Sequence, residues 1–316
     1  MMSVVVITLA ENTVAMPRFL ADWGLSMLVK ADDCTILFDT GFSFATVYNA
    51  GLYNINLSSL DKVVLSHGHL DHTGGLREIL RRTGPTEVIA HPSILDAKYL
   101  KMQQPLSTFF GVPSDLAEDK LAGIRIPYQE QEEYCGIPFT RDELESLGAR
   151  FRFEKVALQL SENIFTTGEI ALKTGYETVG PVFFTREENG FHPDALLDDL
   201  ALIVKTAAGL LILLGCSHRG MINTIRQAQH ITGEERVHTV VGGTHLVAAS
   251  DERIKETVKD LQEIGVQRIG VSHCTGFRAA TILAEVFKER FFLNNAGTIF
   301  SLNNGLNKAR PWNLLQ

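Results

Sequence analysis

Three histidines and one aspartate lie within six positions of the chain, at His67, His69, Asp71 and His72. They directly follow 60–66 (LDKVVLS), an apolar run typical of a buried strand. A turn after a strand can aim several side chains into one small volume. Imidazole suits Zn, Fe, Mn or Ni, and carboxylate suits harder ions. This density of ligand-type side chains predicts a metal site, because an ordinary polar loop would not need it.

Other candidate residues stand where predicted strands end. His91, His218 and His245 each follow such a strand. Ligands of α/β proteins gather at that edge of a sheet, so we expect some of these histidines to line a substrate pocket. Each one taken alone could equally be a hydrogen-bonded structural residue.

The order of predicted elements indicates α/β layers. The first part is rich in short strands, at 3–9, 26–30, 35–38, 60–66 and 87–90, with a helix at 75–82. The last part has strands at 199–205, 210–214, 237–241 and 267–271, and helices at 221–229, 251–264 and 278–290. Residues 93–150 differ, since they carry four prolines and the polar run 129–133. We interpret them as a lid or cap insertion; the alternative is a surface excursion without a role.

Composition limits the partners and the compartment. The chain has 316 residues, a net charge of −8 and a pI near 5.7, which argues against a broad nucleic-acid or anionic-membrane surface. No apolar stretch reaches membrane-spanning length, and the N-terminus is typical of a strand rather than a signal peptide. The four widely spaced cysteines are predicted to be reduced thiols of a cytoplasmic protein.

The run 66–75 (SHGHLDHTGG) resembles the HxHxDH signature of the metallo-β-lactamase superfamily. The resemblance implies an α/β fold, a four-layer αββα sandwich with a metal pair at the edge of two sheets, here as one domain over 1–316. It implies that His67 and His69 bind one metal, and that Asp71 and His72 bind the other. Two divalent ions are expected, with Zn favoured and Mn or Fe open.

Two further motifs carry the resemblance. In 36–41 (ILFDTG), Asp39 matches a buried residue that braces the ligand loop. In 270–274 (GVSHC), His273 matches a ligand of the second metal.

The middle motifs depart from the superfamily pattern. Cys216 stands where a bridging aspartate is usual, and a thiolate is a competent ligand; its alternative is a buried small hydrophobe. His218 is a second candidate for that place. Asp198 and Asp199 stand where another histidine ligand is usual, and Asp199 is a further candidate for the shell or for the substrate pocket.

A narrower resemblance, to the dihydropterin synthase-like branch, runs along nearly the whole chain. Its motifs are 167–170 (TGEI), 198–202 (DDLAL), 215–220 (GCSHRG), 242–246 (GGTHL) and 273–276 (HCTG).

Three functions follow from these resemblances. The first is a metal-dependent hydrolase of a small phosphorylated or cyclic substrate, acting through a metal-bound hydroxide with Asp71 guiding a proton. The second is a dihydropterin-type transferase, which joins a pterin to an arylamine ribose phosphate and releases pyrophosphate. The third is a non-catalytic small-molecule sensor. All three take a small-molecule partner, and the sequence does not determine the oligomeric state.

Overall fold

The computed structural model describes residues 3–31, 34–102 and 131–302. In chain order its strands are β1 (Val4–Ala10), β2 (Ser26–Ala31), β3 (Cys34–Phe38), β4 (Lys62–Val64), β5 (Thr86–Ala90), β6 (Lys98–Lys101), β7 (Glu132–Tyr134), β8 (Ala149–Phe153), β9 (Ile164–Thr166), β10 (Phe183–Glu187), β11 (Gly190–Pro193), β12 (Ala201–Thr206), β13 (Gly209–Leu214), β14 (Val237–Gly243), β15 (Arg268–Ser272), β16 (Phe291–Leu293) and β17 (Ile299–Leu302). The helices are α1 (Ala45–Leu52), α2 (Leu70–Thr73), α3 (Leu76–Thr83), α4 (Arg141–Ser146), α5 (Met221–Thr232), α6 (Asp251–Ile264) and α7 (Phe277–Phe287).

The strands form two large sheets and a small one. The first sheet has the order β17-β1-β2-β3-β4-β5-β8, and the second has the order β16-β15-β14-β13-β12-β9. A third, four-stranded sheet has the order β11-β10-β6-β7. Strands β3, β4, β5 and β8 are parallel to one another, as are β13 to β16. The loops that follow these parallel strands therefore leave each large sheet at one edge.

The two large sheets pack face to face with helices outside them. Strand β13 shows why, since all six of its residues are buried. Leu211 and Leu213 lie in the core between the sheets, together with Phe38 of the first sheet. The alternate residues Leu210 and Ile212 lie in the core beneath α5, α6 and α7. A strand with both faces buried belongs to a layered sandwich. The predicted four-layer αββα fold is therefore confirmed.

The predicted strands and helices of the first and last parts are present, with ends displaced by a few residues. Helix α6 has the predicted bounds because Ser250 accepts a hydrogen bond from the backbone N–H of Arg253, and Gly265 ends the helix in a left-handed conformation. Helix α1 and strands β9 to β11, β16 and β17 were not predicted. No helix among the described residues is long and apolar enough to cross a membrane.

The predicted insertion at 93–150 divides into parts. Strands β6 and β7 belong to the third sheet. Strand β8 begins at the end of the predicted insertion and pairs with β5 in the first sheet. Residues 103–130 of the predicted lid lie outside the described residues. The lid stays a prediction.

Strand β17 closes the first sheet against β1, and its Phe300 is buried between the sheets with its ring 5.4 Å from that of Phe292. We predict that Phe300→Ala lowers the free energy of unfolding by about 3–5 kcal/mol, because it leaves a cavity in the core. Denaturant unfolding would measure this. The control is Ile299→Ala in the same strand, where the side chain is 43% exposed and a loss below about 1 kcal/mol is expected. Equal losses would contradict the assigned packing.

Candidate metal centre

The edges of the two large sheets meet at the predicted ligand turn. Asp39 follows β3, and the turn from Ser66 to His72 follows β4; Cys216, His245 and His273 follow β13, β14 and β15. A Cβ atom added to Gly215 would lie 2.1 Å from the Ser66 hydroxyl oxygen. The absence of a side chain at Gly215 thus lets the second sheet approach the ligand turn of the first.

A first group of donor atoms comes from three buried histidines. His67 Nε2 lies 3.0 Å from His69 Nδ1 and 3.2 Å from His218 Nε2. Burial holds the pKa values of His67 and His218 well below their usual range and lowers the pKa of His69 to about 3. The three rings are therefore neutral at pH 7, which is the state that binds metal.

Hydrogen bonds fix the proton on His67. The Ser66 hydroxyl donates to Asp39 Oδ2 at 2.7 Å, because a carboxylate cannot donate. The same hydroxyl oxygen lies 2.9 Å from His67 Nδ1, so it must accept the Nδ1–H. Nε2 of His67 then carries a lone pair aimed at the other two histidines. Crowded ring nitrogens of this kind are suited to a shared cation.

A second group comes from Asp71, His72 and His273, whose donor atoms all lie within 4.8 Å of one another. His273 Nδ1 lies 2.9 Å from Asn12 Oδ1, which also accepts from the backbone N–H of Gly24. Nδ1 is therefore the donor, and Nε2 faces Asp71 Oδ2 at 3.1 Å. A ring lone pair against a carboxylate oxygen needs a cation between them, either a proton or a metal.

The positive charge of His72 and the negative charge of Asp71 stabilise each other. Burial lowers the pKa of His72, but the carboxylates of Asp39 and Asp71 outweigh it and raise the pKa to about 9. Burial raises the pKa of Asp71, but His72 and His273 outweigh it and hold it below its usual range. His72 Nδ1 donates to Asp39 Oδ2 at 2.6 Å, so the second proton lies on Nε2, 3.1 Å from Cys216 Sγ. A metal ion here would take the place of that proton.

The Cys216 thiol lies between the two groups. Its sulfur is within 4.8 Å of donor atoms of His67 and His72, one from each group. It is also within that distance of donors of His218 and His245. Both middle-motif candidates, Cys216 and His218, therefore lie in the cluster.

Asp39 has no exposed surface and touches the ligand turn at three points. It accepts from the backbone N–H of Ser66 at 2.7 Å, from the Ser66 hydroxyl and from His72 Nδ1. Partners of this kind fix the orientation of ligating histidines and raise their basicity. These contacts are compatible with the predicted bracing role of Asp39, which stays a prediction.

Four strand ends turn through left-handed backbone at the cluster. The φ angles are 60° at Asp39, 57° at Ser217, 49° at His245 and 51° at His273. Non-glycine residues rarely adopt this region, and each costs of order 1–3 kcal/mol. The surrounding hydrogen bonds hold these conformations, and the turns direct the side chains inward.

His245, like Asp71, is a partly exposed member of the cluster. Its ring centroid lies 4.2 Å from that of His218, and its Nδ1 is buried without a hydrogen-bond partner among the described residues. This position is compatible with the predicted contact to substrate, which stays a prediction.

Asp198 and Asp199 lie outside the groups of metal-type donors found among the described residues. Asp198 accepts from the backbone N–H of Gly68, between the first two histidines, at 2.7 Å. Asp199 accepts from the backbone N–H of Arg219, and burial raises its pKa to about 7. Both carboxylates brace backbone beside the ligands, and the geometry does not favour Asp199 as the missing ligand.

His91 also stands apart from the donor groups. Its Nδ1 accepts from the backbone N–H of Ser93, and its Nε2 lies 3.0 Å from Glu169 Oε1. With both ring nitrogens engaged, its hydrogen bonding favours a structural role. The predicted substrate contact of His91 is untested.

Sequence reasoning missed Lys98 on β6. Its side chain is 1% exposed, and Nζ lies 2.7 Å from Asp194 and 3.1 Å from Asp198. Since Asp198 holds the Gly68 N–H, this ion pair ties the third sheet to the ligand turn. An isolated lysine in a short polar strand gave no signal for this role.

The third sheet also contributes Phe183 of β10. Its ring stacks on His69 with centroids 5.2 Å apart and lies 4.8 Å from the ring of His218. The third sheet thus forms an apolar wall over the first group of histidines.

Comparison with known proteins agrees with this geometry. A model of the metallo-β-lactamase superfamily matches residues 24–152. Over 302 residues the chain is 33% identical to 7,8-dihydropterin-6-methyl-4-(β-D-ribofuranosyl)-aminobenzene-5'-phosphate synthase of Methanocaldococcus jannaschii, covering 92% of this chain and 94% of the relative. The chain belongs to the metallo-β-lactamase superfamily. The predicted resemblance to the dihydropterin synthase-like branch is confirmed.

Solved structures share the fold. Tm1679, a metal-dependent hydrolase of the β-lactamase superfamily, superposes with a TM-score of 0.74 at 28% identity, covering 96% of this chain and all of that one. Zn²⁺-bound PqqB of Methylobacterium extorquens superposes with a TM-score of 0.51 at 10% identity, covering 95% and 99% of the two chains. The superfamily fold implies divalent metal binding, and the facing lone pairs of this cluster fit such an ion.

We predict that Asp39→Asn weakens divalent metal binding about 10–100-fold. An amide has one accepting oxygen, whereas the carboxylate uses one oxygen for the Ser66 N–H and the other for the Ser66 hydroxyl and His72. A competition titration with a metal-binding dye would measure it. Asp61→Asn is the control, since that carboxylate accepts from the Thr35 N–H at an exposed position. Unchanged affinity in Asp39→Asn would contradict the bracing role.

We predict that Lys98→Met lowers the free energy of unfolding by about 3–5 kcal/mol, because Asp194 and Asp198 lose their buried partner. The matched control is Lys101→Met in the same strand. Its ion pair with Glu132 is largely exposed, so a change of at most about 1 kcal/mol is expected. Chemical denaturation distinguishes the two, and similar losses would argue against the buried network.

Proposed function

We propose that this protein is a metal-dependent hydrolase of a small phosphorylated or cyclic substrate. The supporting observation is the pair of adjacent donor groups that meet at Cys216. His67, His69 and His218 would hold one divalent ion, and Asp71, His72 and His273 a second, with Zn favoured by the imidazole and thiol donors. Such a metal pair supplies an activated water and positive charge against the anion that develops on a substrate oxygen.

Asp71 is the proposed proton-guiding residue. Its side chain is 20% exposed, whereas that of His273, 3.1 Å away, is 1% exposed. One carboxylate can therefore contact both the ligand cluster and an entering substrate. Its pKa lies below the usual range, so it accepts hydrogen bonds at neutral pH.

The positively charged side chains and the helix N-terminus next to the cluster already have partners within the protein. Lys98 is paired with two carboxylates, and the buried Arg219 donates to the carbonyls of Ile170 and Ala195. The N-terminus of α5 is filled by Glu177, which accepts from the N–H groups of Ile222 and Asn223. In this part of the chain, an anionic substrate group would therefore rely on the metals and on imidazole side chains such as His245. That arrangement favours reaction at the anionic group itself.

A dihydropterin-type transferase is the second candidate. It is favoured by the identity to the Methanocaldococcus jannaschii synthase along nearly the full length of both chains. The same donor groups would then hold a pyrophosphate leaving group, while the wall formed by Phe183 would limit competition by water.

Two assays on the zinc-loaded protein discriminate between the candidates. Hydrolysis of phosphodiesters, phosphomonoesters or lactones without a second substrate would support the hydrolase. Pyrophosphate release that requires both a pterin diphosphate and an arylamine ribose phosphate would support the transferase. Turnover in neither assay would argue against both.

We predict that His69→Ala lowers kcat/KM at least about 100-fold in whichever assay the protein is active, a loss of about 2.7 kcal/mol, because the first group loses a donor. His230→Ala on the exposed face of α5 is the control and should retain activity. Full activity and unchanged metal content in His69→Ala would contradict the proposed centre.

A further inference from the structure

Cys274 follows the ligand candidate His273, and its thiol lies within the cluster. Its sulfur, the Cys216 sulfur and a ring nitrogen of His273 all lie within 4.8 Å of one another. All three residues are buried. A buried cysteine is commonly a small hydrophobe, but the groups next to this sulfur are another thiol, an imidazole and polar backbone.

The fold leaves room for this contact. Cys216 follows β13 and Cys274 follows β15, and β14 lies between these strands. At the end of β14 stands Gly243, where an added Cβ would lie 2.7 Å from Cys274 Sγ. The missing side chain at Gly243 therefore lets the Cys274 thiol reach across β14 toward Cys216.

The backbone polarises the same sulfur. The N–H of His245 donates to Cys274 Sγ at 3.3 Å. Hydrogen bonds to a ligand atom of this kind orient it and tune its basicity at metal sites. The contact comes from the turn after β14, so all three neighbouring strand ends of the second sheet take part in placing the thiol.

We propose that Cys274 is a direct metal ligand of the second donor group, together with Cys216 and His273. The proposal rests on the metal-dependent function proposed above. Two thiolates beside imidazoles favour a soft divalent cation, Zn²⁺ or Fe²⁺, over Mg²⁺ or Mn²⁺. The second position of this protein would then differ in metal preference from an aspartate-bridged one.

X-ray absorption at the zinc edge of the wild-type, zinc-loaded protein tests the ligand without any substitution. Two sulfur ligands per chain are expected, one from Cys216 and one from Cys274. A single sulfur per chain would overturn the role of Cys274 and leave the metal-dependent function standing. Failure of the wild-type protein to bind zinc would overturn both.

Cobalt substitution tests the residue directly. Bound Co²⁺ gives a sulfur-to-metal charge-transfer band, and Cys274→Ser is expected to lose about half of it, because one of two thiolates is removed. The affinity for the second equivalent of Co²⁺ should fall at least about 10-fold. Cys34→Ser is the control, since Cys34 stands at the start of β3, away from the edge that bears Asp39. A full band and unchanged affinity in Cys274→Ser would overturn the proposal.

Discussion

The candidate metal centre depends on one buried carboxylate. Asp39 contacts His72 directly and His67 through the Ser66 hydroxyl. It thereby sets the proton positions of one histidine in each donor group. Burying the Asp39 carboxylate away from water costs free energy, but its three hydrogen bonds and the cationic His72 offset that cost. The lone pair that His67 directs toward His69 and His218 follows from this single group.

The second constraint is the meeting of two sheet edges. Parallel strands send their following loops to the same edge, so β3 and β4 on one side and β13 to β15 on the other deliver their side chains together. Left-handed turns at Asp39, His245 and His273 redirect the chain immediately after each strand. Because the turns are strained, the ligands are held by the packed sheets rather than by the loops alone.

The sequence sufficed for the ligand turn because its residues are neighbours in the chain, and a strand followed by HxHxDH allows few geometries. The bracing role of Asp39 and the place of His273 came from family motifs. The choice among Cys216, His218 and Asp199 needed the structure, because it depends on where the side chains point after β13 and before β12. All three residues stand in suitable motifs. In the structure, however, the Asp199 carboxylate accepts from the Arg219 N–H and lies outside the donor groups.

Other features were beyond sequence reasoning for a different physical reason. Lys98 is buried only because Asp194 and Asp198, about 100 residues away, approach it in space. Cys274 looked unremarkable because its approach to Cys216 depends on the missing side chain of Gly243 in another strand. Helix α1 (ATVYNAGL) has two β-branched residues, Thr46 and Val47, and a glycine, so its local helix propensity is weak.

The candidate metal ligands and the apolar wall over them come from different sheets. The candidate ligands all come from the edges of the two large sheets, whereas Phe183 and Lys98 come from the third sheet. Changes at Phe183 can therefore reshape the wall of the site, whereas changes at Lys98 would also disturb the ligand turn through Asp198 and the Gly68 N–H. The two relatives that this chain resembles are named for different reactions, a metal-dependent hydrolase and a pterin synthase, and a shared fold does not fix the reaction. Because Phe183 lies over the rings of His69 and His218 without belonging to the donor groups, substitutions there can test whether the wall affects the choice between the two reactions.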